Sequence, residues 1–224
     1  MDYAIIVAGG KGERMGAALP KQFMELCGRP VLMHAIDRFK AYDPGLHVIL
    51  VLPAEYRPLW EGLCRRHGFA TEVEVVDGGP TRFHSSQNGV AAIPAGAHGV
   101  AAIHDGARPL PPPGMIARCY ETAAEEFAAV PTLPVADTLR VRTPGGGSRT
   151  ADRSAFRAAQ TPQVFDIQLL KRAFAQPYDP AFTDDASVVE ALGCGVAEVE
   201  GDRRNIKLTT PEDFAVAEAL LKMG

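Results

Sequence analysis

The sequence predicts an α/β fold, Rossmann-like, in which a mostly parallel mixed sheet is flanked by helices and carries a protruding β-hairpin arm. The first observation is that apolar runs alternate with helix-like stretches through residues 3–127, as in βαβ units. The second is that polar and apolar residues then alternate around a Pro-Gly-rich turn, as in a hairpin. We therefore predict a single domain, residues 1–224, with residues 136–157 inserted as an arm.

The composition is that of an ordinary folded protein. The chain has 224 residues, 46% hydrophobic and 22% charged, with a net charge of −4, which argues against extended contact with nucleic acid. No stretch approaches the roughly 20 apolar residues of a membrane span, and no leader sequence is evident. The four cysteines are scattered without a C-x-x-C pair, so neither a disulfide framework nor a zinc site is predicted. We expect a cytoplasmic protein that binds neither membrane nor nucleic acid.

The first elements follow from apolar periodicity. Residues 3–7 form an apolar run that predicts the first strand. A helix is predicted over 31–41, because its apolar residues share one face and the Asp43-Pro44-Gly45 turn ends it. Residues 47–52 are almost continuously apolar, which indicates a buried strand.

Three predicted strands end in unusual loops. The strand at 72–76 runs into a Gly-Gly-Pro sequence, a helix is predicted over 85–93, and the strand at 99–104 is followed by Asp-Gly-Ala-Arg-Pro. In open parallel sheets, ligands bind at the carboxyl ends of the strands. The loops after these strands and after the first strand are therefore the predicted site.

The arm and the closing elements come last. Alternating segments at 129–142 and 149–153 flank the turn at 143–148, and such a hairpin must pack on its own domain or on a second subunit. Helices are predicted at 167–174, after Thr183, and after Thr210, which precedes a proline and two acids.

The loop AGGKGERMGAALPKQ, residues 8–22, holds four glycines and three cations. It is not a dinucleotide fingerprint, because Met15 stands where the third glycine is needed, and it is not a Walker A loop, because Ala17 follows Gly16. Its amides could cradle a polyphosphate while Arg14 and Lys21 neutralise it. The alternative is a solvated turn with incidental charge.

Six motifs, in order along nearly the whole chain, resemble those of the 2-C-methyl-D-erythritol 4-phosphate cytidylyltransferases, a family of polyol-phosphate cytidylyltransferases. The six are residues 8–22, 77–79, 104–109, 161–163, 183–187 and 205–207. The sequence departs from the family pattern at Pro80, where an acidic residue is common.

The resemblance implies an enzyme that joins CTP to 2-C-methyl-D-erythritol 4-phosphate, releasing pyrophosphate, in isoprenoid precursor biosynthesis. The attacking phosphate is already an anion, so the reaction needs fixed cations more than a base. Mg²⁺ is expected to bridge the CTP phosphates with few or no protein ligands, and we commit to no metal-ligating residue. The resemblance also implies a homodimer in which the arm exchanges across a two-fold axis.

The resemblance also assigns roles to residues. Arg14 and Lys21 would stabilise the transition state, while Arg153, from the neighbouring subunit, and Lys207 would position the polyol phosphate. The residues implied in nucleotide binding are Ala8, Gly9, Gly10, Lys11, Gly12, Gly79, Ser85 and Asp105. The residues implied in substrate binding are Arg108, Thr138, Thr161, Thr183 and Asp184.

Several alternatives stay open. Asp105 could serve only as an ion-pair partner of Arg108, Lys207 could be a strand-edge lysine, Asp184 could be only a helix cap, and the arm could be a solvated hairpin. At the level of function, the alternatives are a cytidylyltransferase for another polyol phosphate, such as ribitol 5-phosphate, and a non-catalytic nucleotide-binding module.

Overall fold

A computed structural model describes residues 1–9 and 19–223. Its strands are β1 (Tyr3–Val7), β2 (Glu25–Leu26), β3 (Arg29–Pro30), β4 (His47–Leu52), β5 (Glu74–Asp77), β6 (Val100–Asp105), β7 (Ala128–Pro134), β8 (Arg140–Arg142), β9 (Ser148–Thr150), β10 (Arg157–Ala159), β11 (Gln163–Asp166) and β12 (Ala197–Glu200). Its α-helices are α1 (Val31–Tyr42), α2 (Arg57–His67), α3 (Arg82–Ala92), α4 (Pro113–Glu126), α5 (Ile167–Phe174), α6 (Asp185–Glu190) and α7 (Pro211–Lys222). Within the described ranges, no helix has the length and apolar character needed to cross a membrane.

One mixed sheet organises the molecule, in the strand order β10-β7-β11-β6-β1-β4-β5, with β12 also paired to β7. β1 is parallel to both β4 and β6, and β4 is parallel to β5. β11 runs antiparallel to both β6 and β7, and β10 runs antiparallel to β7. The predicted fold class, a mostly parallel mixed sheet of Rossmann type, is confirmed.

Helices cover both faces of the sheet, which explains why its central strands are apolar throughout. Ala4 and Ile6 of β1 pack in the layer that holds α1 and α4, whereas Ile5 and Val7 pack in the layer that holds α3 and α5. All five residues of β1 are buried. A strand buried on both faces loses the polar alternation of a half-exposed one.

Strand β12 and the start of helix α3 differ from the sequence prediction. β12 was not predicted, because its alternating Ala-Glu-Val-Glu sequence is short and half exposed. α3 begins at Arg82, three residues before the predicted start, because the Thr81 side chain caps it by accepting a hydrogen bond from the His84 amide. The cap predicted at Thr210 is confirmed and forms a capping box with Asp213.

The arm leaves and rejoins the sheet at a single position. β7 ends at Pro134 and β10 begins at Arg157, and these two residues are directly opposite each other in the antiparallel ladder. Between them, β8 and β9 form a separate two-stranded hairpin. No residue of 135–159 is buried in the single chain, so the arm contributes nothing to the core of its own subunit.

Candidate active site

The candidate site lies where β1 and β6 end side by side. Val7 and Asp105 are paired in the parallel ladder, and the Gly106 amide donates to the Val7 carbonyl at 2.9 Å. β1 is flanked by β4 on one side and β6 on the other, so the strand order reverses here, which opens a crevice at the carboxyl ends. Ala8 and Gly9 follow β1 into this crevice. Four predicted site residues, Gly10, Lys11, Gly12 and Arg14, lie outside the described residues.

Lys21 is held close to the exit of β1. It begins a short 3-10 turn, Lys21–Phe23, and the neighbouring Gln22 side chain is buried and donates to the Ala8 carbonyl at 2.7 Å. This hydrogen bond ties both ends of the glycine-rich loop together. The predicted phosphate-binding lysine is therefore placed by the backbone beside the first strand.

Gly79 and Ser85 form a compact wall at the start of α3. The Ser85 hydroxyl accepts from the Gly79 amide at 3.1 Å and donates to the Thr81 carbonyl at 3.0 Å. A Cβ on Gly79 would lie 2.4 Å from the Cβ of His84, so only glycine fits there. A Cβ on Gly9 would lie 3.3 Å from the Ser85 oxygen, which brings the β1 loop against the same wall. The structure thus joins Gly9, Gly79 and Ser85, all predicted to bind the nucleotide.

Asp105 is surrounded by three cations. Its carboxylate lies 2.6 Å from Lys207 Nζ, 3.3 Å from Arg82 Nε and 3.9 Å from Arg108 Nε. Burial by itself raises the pKa of Asp105, but the charges of Arg82, Lys207 and Arg108 outweigh burial and hold that pKa well below its usual range. The carboxylate is therefore ionised. We call Asp105, Arg82, Arg108, Lys207 and Asp185 the Asp105 cluster.

Neither Asp185 nor Arg82 was predicted from the sequence as a site residue, and Arg82 is the member that links the two carboxylates of the cluster. Its Nη2 donates to Asp185 Oδ2 at 2.5 Å, while its Nε donates to Asp105, so one guanidinium joins two carboxylates. Burial lowers the pKa of Arg82, but Asp185 and Asp105 more than compensate and raise it. The partners are 23 and 103 residues away in sequence, and no local spacing indicates such a bridge.

Arg108 is held by a buried polar network around Asn205, which lies two residues before Lys207. The segment that contains Lys207 is irregular, so its interpretation as a strand-edge lysine is wrong. Asn205 is fully buried; its side chain donates to the Thr161 carbonyl at 2.8 Å, and its own carbonyl accepts from Arg108 Nη1 at 2.7 Å. Arg108 Nε is buried without a hydrogen-bond partner among the described residues, a donor that a bound anion would satisfy.

The side chains of His104 and Thr161 hold the backbone at Asp105 and Arg108 through hydrogen bonds. The Arg108 carbonyl can only accept, so His104 Nε2 donates to it at 2.9 Å, and Nδ1 accepts from the Thr161 hydroxyl at 3.1 Å. The same hydroxyl accepts from the Asp105 amide at 3.1 Å. Burial lowers the pKa of His104 to about 4, so the ring is neutral. Thr161, predicted to bind substrate, has its hydroxyl engaged in this network.

Asp184 is the N-cap of α6, which agrees with the alternative that this residue serves as a helix cap. Its Oδ1 accepts from the Ser187 amide at 2.9 Å and its Oδ2 accepts from Gln163 Nε2 at 2.7 Å. The exposed Thr183 precedes it and donates its amide to the Ser187 hydroxyl at 3.1 Å. The cap lies beside the buried Asp185, so both predicted substrate residues adjoin the Asp105 cluster along the chain.

Thr138 and Arg153 lie on the exposed arm. Arg153 Nη1 donates to the Ala136 carbonyl, a contact within the arm itself. No hydrogen bond among the described residues joins either side chain to the Asp105 cluster of the same subunit. One chain alone therefore does not bring together every residue predicted for the site.

Comparison with known proteins matches this geometry to one family. The family model for 2-C-methyl-D-erythritol 4-phosphate cytidylyltransferase matches residues 3–223. A protein of that name from Bacteroides thetaiotaomicron is 51% identical, over 97% of this chain and 98% of its own length. The crystal structure of the enzyme of that name from Thermus thermophilus is 32% identical with a TM-score of 0.79, over 99% of this chain and 100% of that one.

A second solved structure, 4-diphosphocytidyl-2C-methyl-D-erythritol synthase from Anaerococcus prevotii, has a TM-score of 0.82 at 26% identity, over 99% of this chain and 96% of that one. Sequence and structural similarity thus both extend over nearly the whole chain, including the loops that form the Asp105 cluster. The chain belongs to the 2-C-methyl-D-erythritol 4-phosphate cytidylyltransferase family.

Proposed function

We propose that this enzyme transfers the cytidylyl group of CTP to 2-C-methyl-D-erythritol 4-phosphate, giving 4-diphosphocytidyl-2-C-methyl-D-erythritol and pyrophosphate in the non-mevalonate isoprenoid pathway. The observation that carries the proposal is the Asp105 cluster. It sets two cations, Arg108 and Lys207, at the strand-order reversal, next to the wall formed by Gly79 and Ser85. A site for two anionic substrates needs this excess of fixed positive charge.

In the proposed reaction, an oxygen of the polyol phosphate forms a bond to the α-phosphorus of CTP, and the bond from that phosphorus to the β-phosphate oxygen breaks. The nucleophile is an anion, so no side chain has to remove a proton. Lys21 and Arg14 would stabilise the charge on the α-phosphate and on the leaving pyrophosphate. Lys207 and Arg108 would hold the polyol phosphate in line for attack.

We also propose that Mg²⁺ accompanies CTP. When bound, the ion would neutralise charge on the triphosphate oxygens. In the part of the chain that the structure describes, no group of three or more His, Cys, Asp or Glu side chains could hold a metal. Asp105 offers one carboxylate in the crevice, a donor set suited to an ion held mainly by phosphates and water.

The proposed active enzyme is a homodimer that works in the cytoplasm. Residues 135–156 have no buried member, and Val141 and Phe156 are 40% and 45% exposed, so the arm buries little of its apolar surface against the described part of its own chain. Packing on a second subunit would bury it and would bring Thr138 and Arg153 to the neighbouring site. The four cysteines are unpaired, in keeping with a reducing compartment.

The test is a pyrophosphate-release assay with CTP, Mg²⁺ and one polyol phosphate at a time. We expect release with 2-C-methyl-D-erythritol 4-phosphate and little with ribitol 5-phosphate. Release with ribitol 5-phosphate alone would transfer the assignment to that substrate. Binding of CTP without release from either substrate would indicate a nucleotide-binding module.

A further inference from the structure

Arg82 is the first residue of α3, and its guanidinium reaches two different parts of the fold. Nε donates to Asp105 Oδ1, at the end of β6, at 3.3 Å, and Nη2 donates to Asp185 Oδ2, at the start of α6, at 2.5 Å. Among the described contacts, neither Arg108 nor Lys207 links the nucleotide side of the crevice to the helix that follows Asp184 in this way.

The two carboxylates that Arg82 joins differ in their surroundings. Asp185 is 1% exposed, and its other oxygen accepts from the fully buried Ser86 hydroxyl at 2.8 Å, so it is satisfied inside the protein. Asp105 is 14% exposed and faces the crevice, where Lys207 contacts its Oδ2. Asp185 therefore anchors the guanidinium from behind, and Asp105 is the group that the guanidinium orients toward the site.

Arg82 and the other two cations contact different oxygens of the Asp105 carboxylate. Lys207 and Arg108, the cations predicted to bind the polyol phosphate, both approach Oδ2 of Asp105, whereas Arg82 approaches Oδ1. An incoming phosphate competes with Asp105 for Lys207 and Arg108, because both are cations with limited donors. Arg82, held by the buried Asp185, is the contact that such a phosphate disturbs least.

We propose that Arg82 is a positioning residue for CTP, which fixes the Asp105 carboxylate in its nucleotide-binding orientation while the other cations engage the second substrate. This inference rests on the proposed function. The competing explanation is that Arg82 only neutralises the buried charge of Asp185, which would make it a stability element without effect on the nucleotide.

Three variants separate the two explanations. Arg82→Met removes both donors and leaves Asp185 buried without its counter-ion, so it should lose stability and raise the KM for CTP by roughly tenfold or more, as expected for a lost charge-assisted hydrogen bond. Arg82→Met combined with Asp185→Asn removes the unpaired buried charge as well. Asp185→Asn alone is the matched control, because Arg82 keeps a side-chain acceptor there and keeps Asp105.

We expect the double variant to recover most of the lost unfolding free energy but to retain the raised KM for CTP, with a much smaller change in the KM for the polyol phosphate. Asp185→Asn alone should raise the KM for CTP clearly less than either variant that lacks Arg82, because the asparagine oxygen can still accept from the guanidinium. A double variant with normal KM for CTP would overturn the proposal, and so would equal increases in both KM values. If the unmodified enzyme releases no pyrophosphate, the proposed function fails, and calorimetric affinity of the same variants for CTP still decides the role of Arg82.

Discussion

At the residue scale, the site depends on which side chains are charged and which are neutral. Asp105 stays ionised because Arg82, Lys207 and Arg108 surround it, whereas His104, the residue before it, is fully buried and neutral. The His104 ring also packs edge-on against Phe39 at 5.0 Å between centroids. Because both ring nitrogens are used to hold Thr161 and the Arg108 carbonyl, we assign His104 to support of the site.

The neutral state of His104 predicts a pH dependence of stability. Burial lowers its pKa from 6.5 to about 4, so between these values the unfolded chain binds a proton that the folded chain does not. The contribution of neutral His104 to the free energy of unfolding is therefore complete above pH 6.5 and is lost as the pH falls toward 4. The unfolding free energies of the wild type and of His104→Gln, measured in urea, should converge by about 2 kcal/mol between pH 7 and pH 5. A constant difference across this range would contradict a neutral His104.

At the element scale, the first turn of α3 supplies both the wall at Gly79 and the link at Arg82. Thr81 caps the helix, Ser85 fastens the Gly79 loop, and Arg82 points to the end of β6. Aromatic contacts of Phe83 with Phe174 and Phe182, at 5.2 and 5.6 Å between centroids, pack the same turn against α5 and the loop before α6. A displacement of this turn would therefore disturb both the Gly79 loop and the Asp105 carboxylate.

Gly79→Ala tests that dependence. The new Cβ would meet the His84 Cβ at 2.4 Å and its backbone carbonyl carbon at 2.9 Å, so the start of α3 must move. We expect a loss of about 1–3 kcal/mol of stability together with weakened CTP binding. Gly96→Ala is the control, because nothing lies within 4 Å of a Cβ there. Equal behaviour of the two variants in thermal unfolding and CTP titration would refute the steric argument.

The start of α3 also marks what the sequence could and could not predict. Apolar runs predicted β1, β4 and β6 because strands buried on both faces need continuous apolar residues. The glycine-rich strand exits and the Asp105 loop were predicted as the site because ligands bind at the carboxyl ends of parallel strands. Arg82 was missed because the helix was predicted to begin at Ser85, and because its partners are brought near only by the assembled sheet.

At the scale of the whole molecule, the predicted site residues are divided between the sheet and the arm. The sheet and its helices hold the Asp105 cluster and the described residues predicted to bind the nucleotide, whereas Thr138 and Arg153 lie on an arm with no buried residue. The proposed dimer would reunite them.

Because Pro134 and Arg157 are already paired, residues 135–156 can be replaced by a tight Gly-Asn-Gly-type turn without opening the sheet. We expect a folded monomer in sedimentation equilibrium that binds CTP but has lost turnover, since Arg153 is gone. A dimeric product would show that the arm is not the interface.

Mixing two inactive variants tests whether Arg153 acts on the neighbouring subunit. If it does, co-refolded Arg153→Ala and Lys207→Ala chains form heterodimers in which one site is intact, restoring about a quarter of all sites. Each variant alone should fail to recover, and this is the control. No recovery in the mixture, despite heterodimers seen by native mass spectrometry, would place Arg153 in its own subunit's site.

The register between β1 and β6 also determines which side chain lies at the carboxyl end of β6. Their ladder runs without interruption from Tyr3 and Ala101 to Val7 and Asp105, and side chains alternate between faces along a strand. One extra residue within β6, with pairing kept, would turn the carboxylate away from its cations and present the imidazole in its place. The length of a buried strand thus determines which functional group stands at its carboxyl end, so we expect this enzyme to tolerate insertions in its arm far better than a single insertion in its sheet.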